Sequence, residues 1–69
     1  MNKYEVIIYW SEVDNVFIAE IPELKGCVVH GDTQDEALTE VNLLAQEWIK
    51  MAKEKNWQIP ESKGKLIFA

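Results

Sequence analysis

The chain has 69 residues, which suits one domain and leaves no room for a second. Hydrophobic residues make up 48% of it, including three Trp, two Tyr and two Phe, and this composition excludes intrinsic disorder. Twelve acidic residues against seven Lys give a formal charge of −5, which disfavours nucleic-acid binding because a basic face must neutralise the phosphates.

The acidic balance leaves two interpretations open. It favours a basic protein partner, because long-range attraction speeds the encounter of oppositely charged proteins. It is equally compatible with a charge whose only role is to keep the chain in solution. A domain of this length is marginally stable alone, so we also expect it to form a homo-oligomer, either a dimer or a tetramer.

Cysteine count and hydropathy limit the chemistry and the location. Cys27 stands alone, so no intramolecular disulfide and no zinc framework of four Cys or His ligands can form. The longest apolar run, Val6 to Trp10, is far too short to span a bilayer, and the N-terminus lacks the apolar stretch of a signal peptide. We expect a cytoplasmic protein with no metal, no cofactor and no membrane association.

Three strands are predicted in the first half. Residues Tyr4–Trp10 and Val16–Ile21 are rich in β-branched and aromatic residues, and polar turn residues separate them, which predicts an antiparallel hairpin. Pro22 ends the second strand because it cannot donate to a ladder, and Gly26 is free to take a positive φ in the turn that follows. Cys27–His30 is the third predicted strand.

A long helix follows. Thr33 and Glu36 form a capping-box pattern, in which the Thr hydroxyl accepts from the Glu amide and the carboxylate reaches back. Helical spacing of apolar residues continues to about Lys55, and Asn56 is a plausible left-handed stop. A last short strand is predicted at Lys65–Ala69, so the order is β-β-β-α-β, an α+β fold with one long helix packed on an antiparallel-rich sheet.

The predicted helix is longer than the strands, so we expect it to overhang the sheet at one end. Apolar residues near that end, namely Trp48, Met51 and Trp57, are a candidate self-association surface. In the alternative, Trp57 and Ile59 fold back and cover the end of the helix.

No set of residues points to catalysis. Cys27 and His30 should lie on opposite faces of a strand, which excludes both a metal pair and a nucleophile–base pair. Glu5 and Glu47 could form half of a two-metal nuclease site, but the last strand adds no acid and we favour solvated surface charges instead. We therefore expect a binding protein and not an enzyme.

Three segments carry a family resemblance: the hairpin YEVIIYWSEVDNVFIAEIPELKGC, the GDTQDEAL stretch, and the amphipathic helix after it. Together they resemble the HicB-like antitoxin family from about Tyr4 to Lys55. The family usually has proline where this chain has Lys25. The resemblance implies a partial RNase H-like fold formed by one HicB-like domain over residues 1–69, whose partner is a small basic HicA-like toxin that cleaves messenger RNA.

The resemblance also bears on sites and on alternatives. Many members carry a C-terminal DNA-binding segment, which is not expected here, so direct DNA binding is not expected either. Candidate toxin-binding residues are acids in and after the hairpin, namely Glu12, Asp14, Glu20 and Glu23. The alternatives are an orphan self-associating domain and, less favoured, a relic of a metal-dependent nuclease.

Overall fold

The computed structural model describes residues 4–61 and confirms the predicted α+β class. Three antiparallel strands form a sheet in the order β1-β2-β3, and one helix packs on one of its faces. The predicted last strand, Lys65–Ala69, lies outside the described residues. The elements are β1 (Ile7–Ser11), β2 (Val16–Glu20), β3 (Val28–Gly31) and α1 (Gln34–Glu54).

The predicted hairpin is present, with a first strand that begins later than its sequence suggests. Ile8 pairs with Ala19, and Asn15 takes a φ of 53° in the turn, where its N–H donates to the Ser11 carbonyl at 2.8 Å. The prediction that the first strand starts at Tyr4 is wrong, because β1 starts at Ile7. The Glu5 N–H donates to the Glu23 carboxylate at 3.3 Å, so this backbone serves the next loop and not the ladder.

The loop from β2 to β3 is closed by its own backbone. Leu24 donates to Ile21 at 3.1 Å, Cys27 donates to Leu24 at 3.0 Å, and Ile21 donates to Cys27 at 3.0 Å. Gly26 has a φ of +83°, as its position in the turn predicted. Because the loop holds the Cys27 N–H, the third strand starts one residue later than predicted, at Val28, and it extends to Gly31.

The helix begins and ends close to its predicted limits. The Glu36 N–H donates to the Thr33 hydroxyl at 3.0 Å, while the Glu36 carboxylate accepts from the Asp32 N–H at 2.9 Å, one residue before the cap. At the other end Asn56 has a φ of 57°, which confirms the predicted left-handed stop. The Trp57 N–H then donates back to the Ala52 carbonyl at 2.8 Å.

The core lies between α1 and the inner face of the sheet, with α1 packed more against β3 and β2 than against β1. The close approach depends on small residues: a Cβ on Gly31 would lie only 2.6 Å from the Ala37 nitrogen. The fully buried hydrophobic residues of this cluster are Ala19, Ile21, Leu24, Cys27, Ala37, Val41 and Ala45.

Candidate functional site

The described part of the chain shows no convergence of catalytic groups. Within residues 4–61 no polar or charged residue is buried, and no group of three or more His, Cys, Asp or Glu side chains could hold a metal. Glu5 is half-buried before β1, and Glu47 is exposed on α1. These two acids therefore belong to no such group in the region that the structure covers.

Cys27 and His30 lie apart, as their spacing predicted. Cys27 is 1% exposed beneath the helix, its Sγ lies 4.0 Å from the Val41 carbonyl oxygen, and burial raises the pKa of the thiol. A raised pKa disfavours the thiolate, which is the nucleophilic form. His30 is exposed on the opposite face of the sheet, so it cannot act as a base for Cys27.

The acids proposed as partner contacts occupy two separate places. Glu12 and Asp14 are exposed in the β1–β2 turn. Glu20 ends β2 at the opposite end of the sheet, and Glu23 is half-buried in the next loop, where it accepts from the Glu5 N–H. At ~3.4 Å per strand residue, the length of β2 separates the two groups by roughly 14 Å. The structure does not bring the four together.

A different acidic surface is formed where β3 meets the start of α1. An open groove of about 750 Å³ lies between the residues 28–32 and the exposed side of the first two helical turns. We call it the β3–α1 groove. Among the described residues that line it there is no Lys, and four carboxylates border it: Asp32, Asp35, Glu36 and Glu40.

The strand side of this groove is a sheet edge that is unpaired within residues 4–61. In the region described, β3 pairs with β2 alone. The hydrogen bond from the Ile21 N–H to the Cys27 carbonyl shows which residues of β3 direct their backbone N–H and C=O groups toward β2. Hydrogen-bonded pairs alternate along an antiparallel ladder, so Val29 and Gly31 bond to β2, whereas Val28 and His30 point outward. The Val28 N–H is taken by the Gly26 carbonyl at 3.0 Å. The outward carbonyls of Val28 and His30 and the His30 N–H face the groove.

A second exposed surface is the outer face of the sheet, opposite α1. Cross-strand pairing places Ile7, Glu20 and Val28 in one row and Tyr9, Ile18 and His30 in the next. Tyr9 is 47% exposed and Val28 is 50% exposed. We call this the outer sheet face. Large apolar side chains exposed together are typical of association surfaces.

The predicted self-association residues lie near the C-terminal end of α1. Trp48 is half-buried, and its Nε1–H donates to the Lys25 carbonyl at 3.0 Å. The Trp57 ring lies 6.1 Å from the Trp48 ring, centroid to centroid, and the Lys55 Nζ lies 5.3 Å from the Trp57 centroid. Trp57 thus folds back as the alternative predicted, yet 46% of it stays exposed, as does 43% of Met51.

Comparison with known proteins identifies the family. The UPF0150 protein ssl0259 of Synechocystis sp. is 32% identical over 63 residues, which cover 91% of this chain and 85% of that protein. The UPF0150 protein Ta0767 of Thermoplasma acidophilum is 34% identical over 65 residues, covering 94% and 93%. The chain belongs to the UPF0150 family. No family model and no solved structure matches it.

The names of these UPF0150 relatives state no activity, ligand or partner. Among the described residues of this UPF0150 chain, no helix has both the length and the apolar character needed to cross a membrane.

Sequence reasoning missed the β3–α1 groove in this UPF0150 protein. The sequence pattern assigns Glu36 to the helix cap and gives no binding role to Asp32, Asp35 or Glu40. The available signal was the spacing of the helical acids: positions 36 and 40 are four apart and share one helical face. What the sequence could not supply was the strand that this face would meet.

Proposed function

We propose that this UPF0150 protein is a HicB-like antitoxin that binds and neutralises a small basic, HicA-like toxin that cleaves messenger RNA. The observation that carries the proposal is the β3–α1 groove, where four carboxylates lie beside a strand edge that is unpaired in the part of the chain the structure describes. The family resemblance of the hairpin and the helix cap supports the same partner. In this proposal the protein acts in the cytoplasm, as a binding module and not as an enzyme.

The mechanism follows from charge and shape. An RNA-cleaving toxin needs a basic surface to hold phosphates, and the same surface is attracted to an acidic antitoxin. A standard protein interface covers about 800 Å² on each partner, which is enough to occlude an RNA site on a small toxin. Neutralisation therefore requires no chemistry from the antitoxin, only an acidic surface that covers the toxin's RNA site.

The decisive experiment pairs this chain with the product of the neighbouring gene. Co-expression should give a complex that co-purifies, and the chain should relieve the growth arrest that the neighbour alone causes. Isothermal titration should show affinity that falls with added salt, because the attraction is between charges. A neighbour that is neither small nor basic, or an arrest that persists on co-expression, would contradict the proposal.

A second candidate is an orphan domain whose role is self-association, and the outer sheet face favours it. Light scattering should then show a dimer or tetramer, and Val28→Lys on that face should yield monomers. Met51→Lys is the matched control: it places the same charge near the C-terminal end of α1, on the self-association surface that the sequence suggested. If Met51→Lys dissociates the oligomer and Val28→Lys does not, the aromatic end of α1 is the interface instead.

The nuclease alternative has a direct test of its own. We expect the purified chain to leave RNA and DNA uncut in the presence of magnesium or manganese. Cleavage that Glu5→Gln abolishes, and that Glu47→Gln reduces, would revive a metal-dependent reaction.

A further inference from the structure

Within the described residues, the edge of β3 that faces away from β2 carries a specific set of backbone groups with no strand partner. The His30 N–H and the carbonyls of His30 and Val28 point away from β2, and none of them has a hydrogen-bond partner within residues 4–61. An added strand could pair with these groups, because adjacent strands in a sheet meet through the same groups. The edge is thus a place where an extended peptide could extend the sheet.

Charge decides which extended peptide would bind. The groove beside the edge is bordered by Asp32, Asp35, Glu36 and Glu40, and no Lys of residues 4–61 lines it. Two copies of this chain joined edge to edge would bring both sets of carboxylates together, and like charges brought together oppose pairing. A strand that carries Lys or Arg would instead place opposite charges side by side.

Side-chain alternation fixes the pattern of that strand. Val29 and Gly31 of β3 face α1, whereas Val28 and His30 face the outer side of the sheet. An added strand alternates in the same way, so every second side chain would lie over the helical acids Asp35 and Glu40. The side chains between them would lie beside Val28, which is half exposed and apolar.

We propose that the edge of β3 left unpaired within residues 4–61 binds an extended segment of alternating basic and apolar residues, which adds to the sheet as a further strand against the acidic face of α1. The proposal rests on the proposed function in one respect only, in that the toxin would be the protein that supplies this segment.

The first test uses a blocked lysine–valine heptapeptide, strictly alternating, added to the full 69-residue chain labelled with ¹⁵N. We expect the His30 amide to shift and its hydrogen exchange to slow by about tenfold, as one added main-chain hydrogen bond predicts. The same peptide with glutamate for lysine is the control and should not bind. Lack of any change at His30, or equal binding of both peptides, would overturn the proposal.

Variants separate backbone pairing from side-chain contact. His30→Pro removes the outward N–H and should weaken peptide binding about tenfold, whereas His30→Ala keeps the N–H and should bind like the wild type. Proline is tolerated on an edge strand where the lost N–H points outward, and circular dichroism checks that the variant is folded. Equal loss in both variants would assign the effect to the imidazole and overturn strand addition.

A charge pair tests the helical side without altering the strand. Asp35→Asn with Glu40→Gln should weaken peptide binding about threefold to tenfold, in line with the loss of two partly screened charge pairs. Glu47→Gln with Glu54→Gln, farther along the same helix, changes the net charge equally and should have little effect. Equal weakening of peptide binding by both double variants would indicate general electrostatic attraction without a specific site, and it would contradict the proposal.

Failure of this inference differs from failure of the proposed function. If the toxin binds the wild type and both His30 variants equally, the antitoxin function stands and the β3 edge is not its site. If the lysine–valine peptide protects His30 but no toxin is found, the edge binds basic strands and the antitoxin assignment fails.

Discussion

The two ends of α1 are built in different ways. At its start the helix lies so close to β3 that a Cβ on Gly31 would meet the Ala37 backbone, and the exposed side is acidic. At its other end, large aromatic rings lie between the helix and the rest of the fold. Trp48 packs against Trp57, and the Trp48 indole N–H donates to the Lys25 carbonyl.

The two ends of α1 therefore differ in how closely their packing fixes the position of the helix. Backbone contact at the first end sets how closely the helix lies against β3, and so sets where the backbone of the acidic residues lies beside the β3 edge. Two half-exposed rings can move relative to each other at little cost, since aromatic pairs tolerate a range of geometries. The rigid end is the better place for a binding surface, because preorganised groups lose less entropy on binding.

The largest expected effect comes from breaking the close approach. Gly31→Ala should lower the free energy of unfolding by about 3 kcal/mol, because the new methyl meets backbone atoms that cannot rotate away. Urea denaturation followed by circular dichroism measures the loss. Gly26→Ala is the control: its Cβ would meet nothing within 4 Å, although its φ is +83°. It should cost about 1 kcal/mol, and an equal loss at both glycines would show that contact with α1 is not what Gly31 provides.

A smaller effect is expected at the aromatic end. Trp48→Phe keeps an aromatic ring but removes the donor to the Lys25 carbonyl, and it should cost about 1–2 kcal/mol. Trp57→Phe removes no hydrogen bond that the structure shows and should cost less than about 1 kcal/mol. Thermal unfolding ranks the two variants, and a larger loss at Trp57 would reverse our view of which ring anchors this end.

The cap at the rigid end should contribute about as much as a typical N-cap. Thr33→Ala removes the acceptor for the Glu36 N–H and should cost about 1 kcal/mol. Thr39→Ala makes the same chemical change at an exposed position within the helix and should be neutral or slightly stabilising, since Ala is the better helix former. Equal stabilities for the two variants in urea would show that the cap is dispensable.

The smallest effect concerns Cys27, which lies beneath the middle of the helix. Burial raises the pKa of its thiol above the ordinary 9.0, so the folded chain holds this proton more tightly than the unfolded chain. The resulting stability is complete below pH 9.0 and is lost as the pH rises through the folded pKa. Between pH 9.0 and the folded pKa, the free energy of unfolding should fall more steeply in the wild type than in Cys27→Ala, in which other titrating groups are unchanged. Parallel slopes would contradict this.

Local patterns predicted the elements well, and tertiary arrangement accounts for the rest. Thr33, Glu36 and Asn56 fixed the helix ends because capping and left-handed stops depend on a few adjacent residues. The predicted start of β1 was wrong because the Glu5 N–H donates to the carboxylate of Glu23, eighteen residues away. No local sequence pattern reveals that contact.

The candidate site was beyond sequence reasoning for the same reason. The acids in the hairpin could be named but not placed relative to one another. Predicting the groove requires three facts. These are that β3 lies at an edge of the described sheet, that its outward backbone groups belong to Val28 and His30, and that the acidic side of the helix faces that edge. Each depends on strand order and packing, which a residue-by-residue pattern does not encode.

The exposed edge of β3 has a consequence for the solubility of the protein. Unpaired strand edges are templates for aggregation, and natural proteins protect them with short strands and charged side chains. β3 has only four residues, and the carboxylates beside it repel a second copy of the same edge. The same side chains that we assign to recognition therefore also oppose fibril formation, and we expect a variant that lacks them to self-associate.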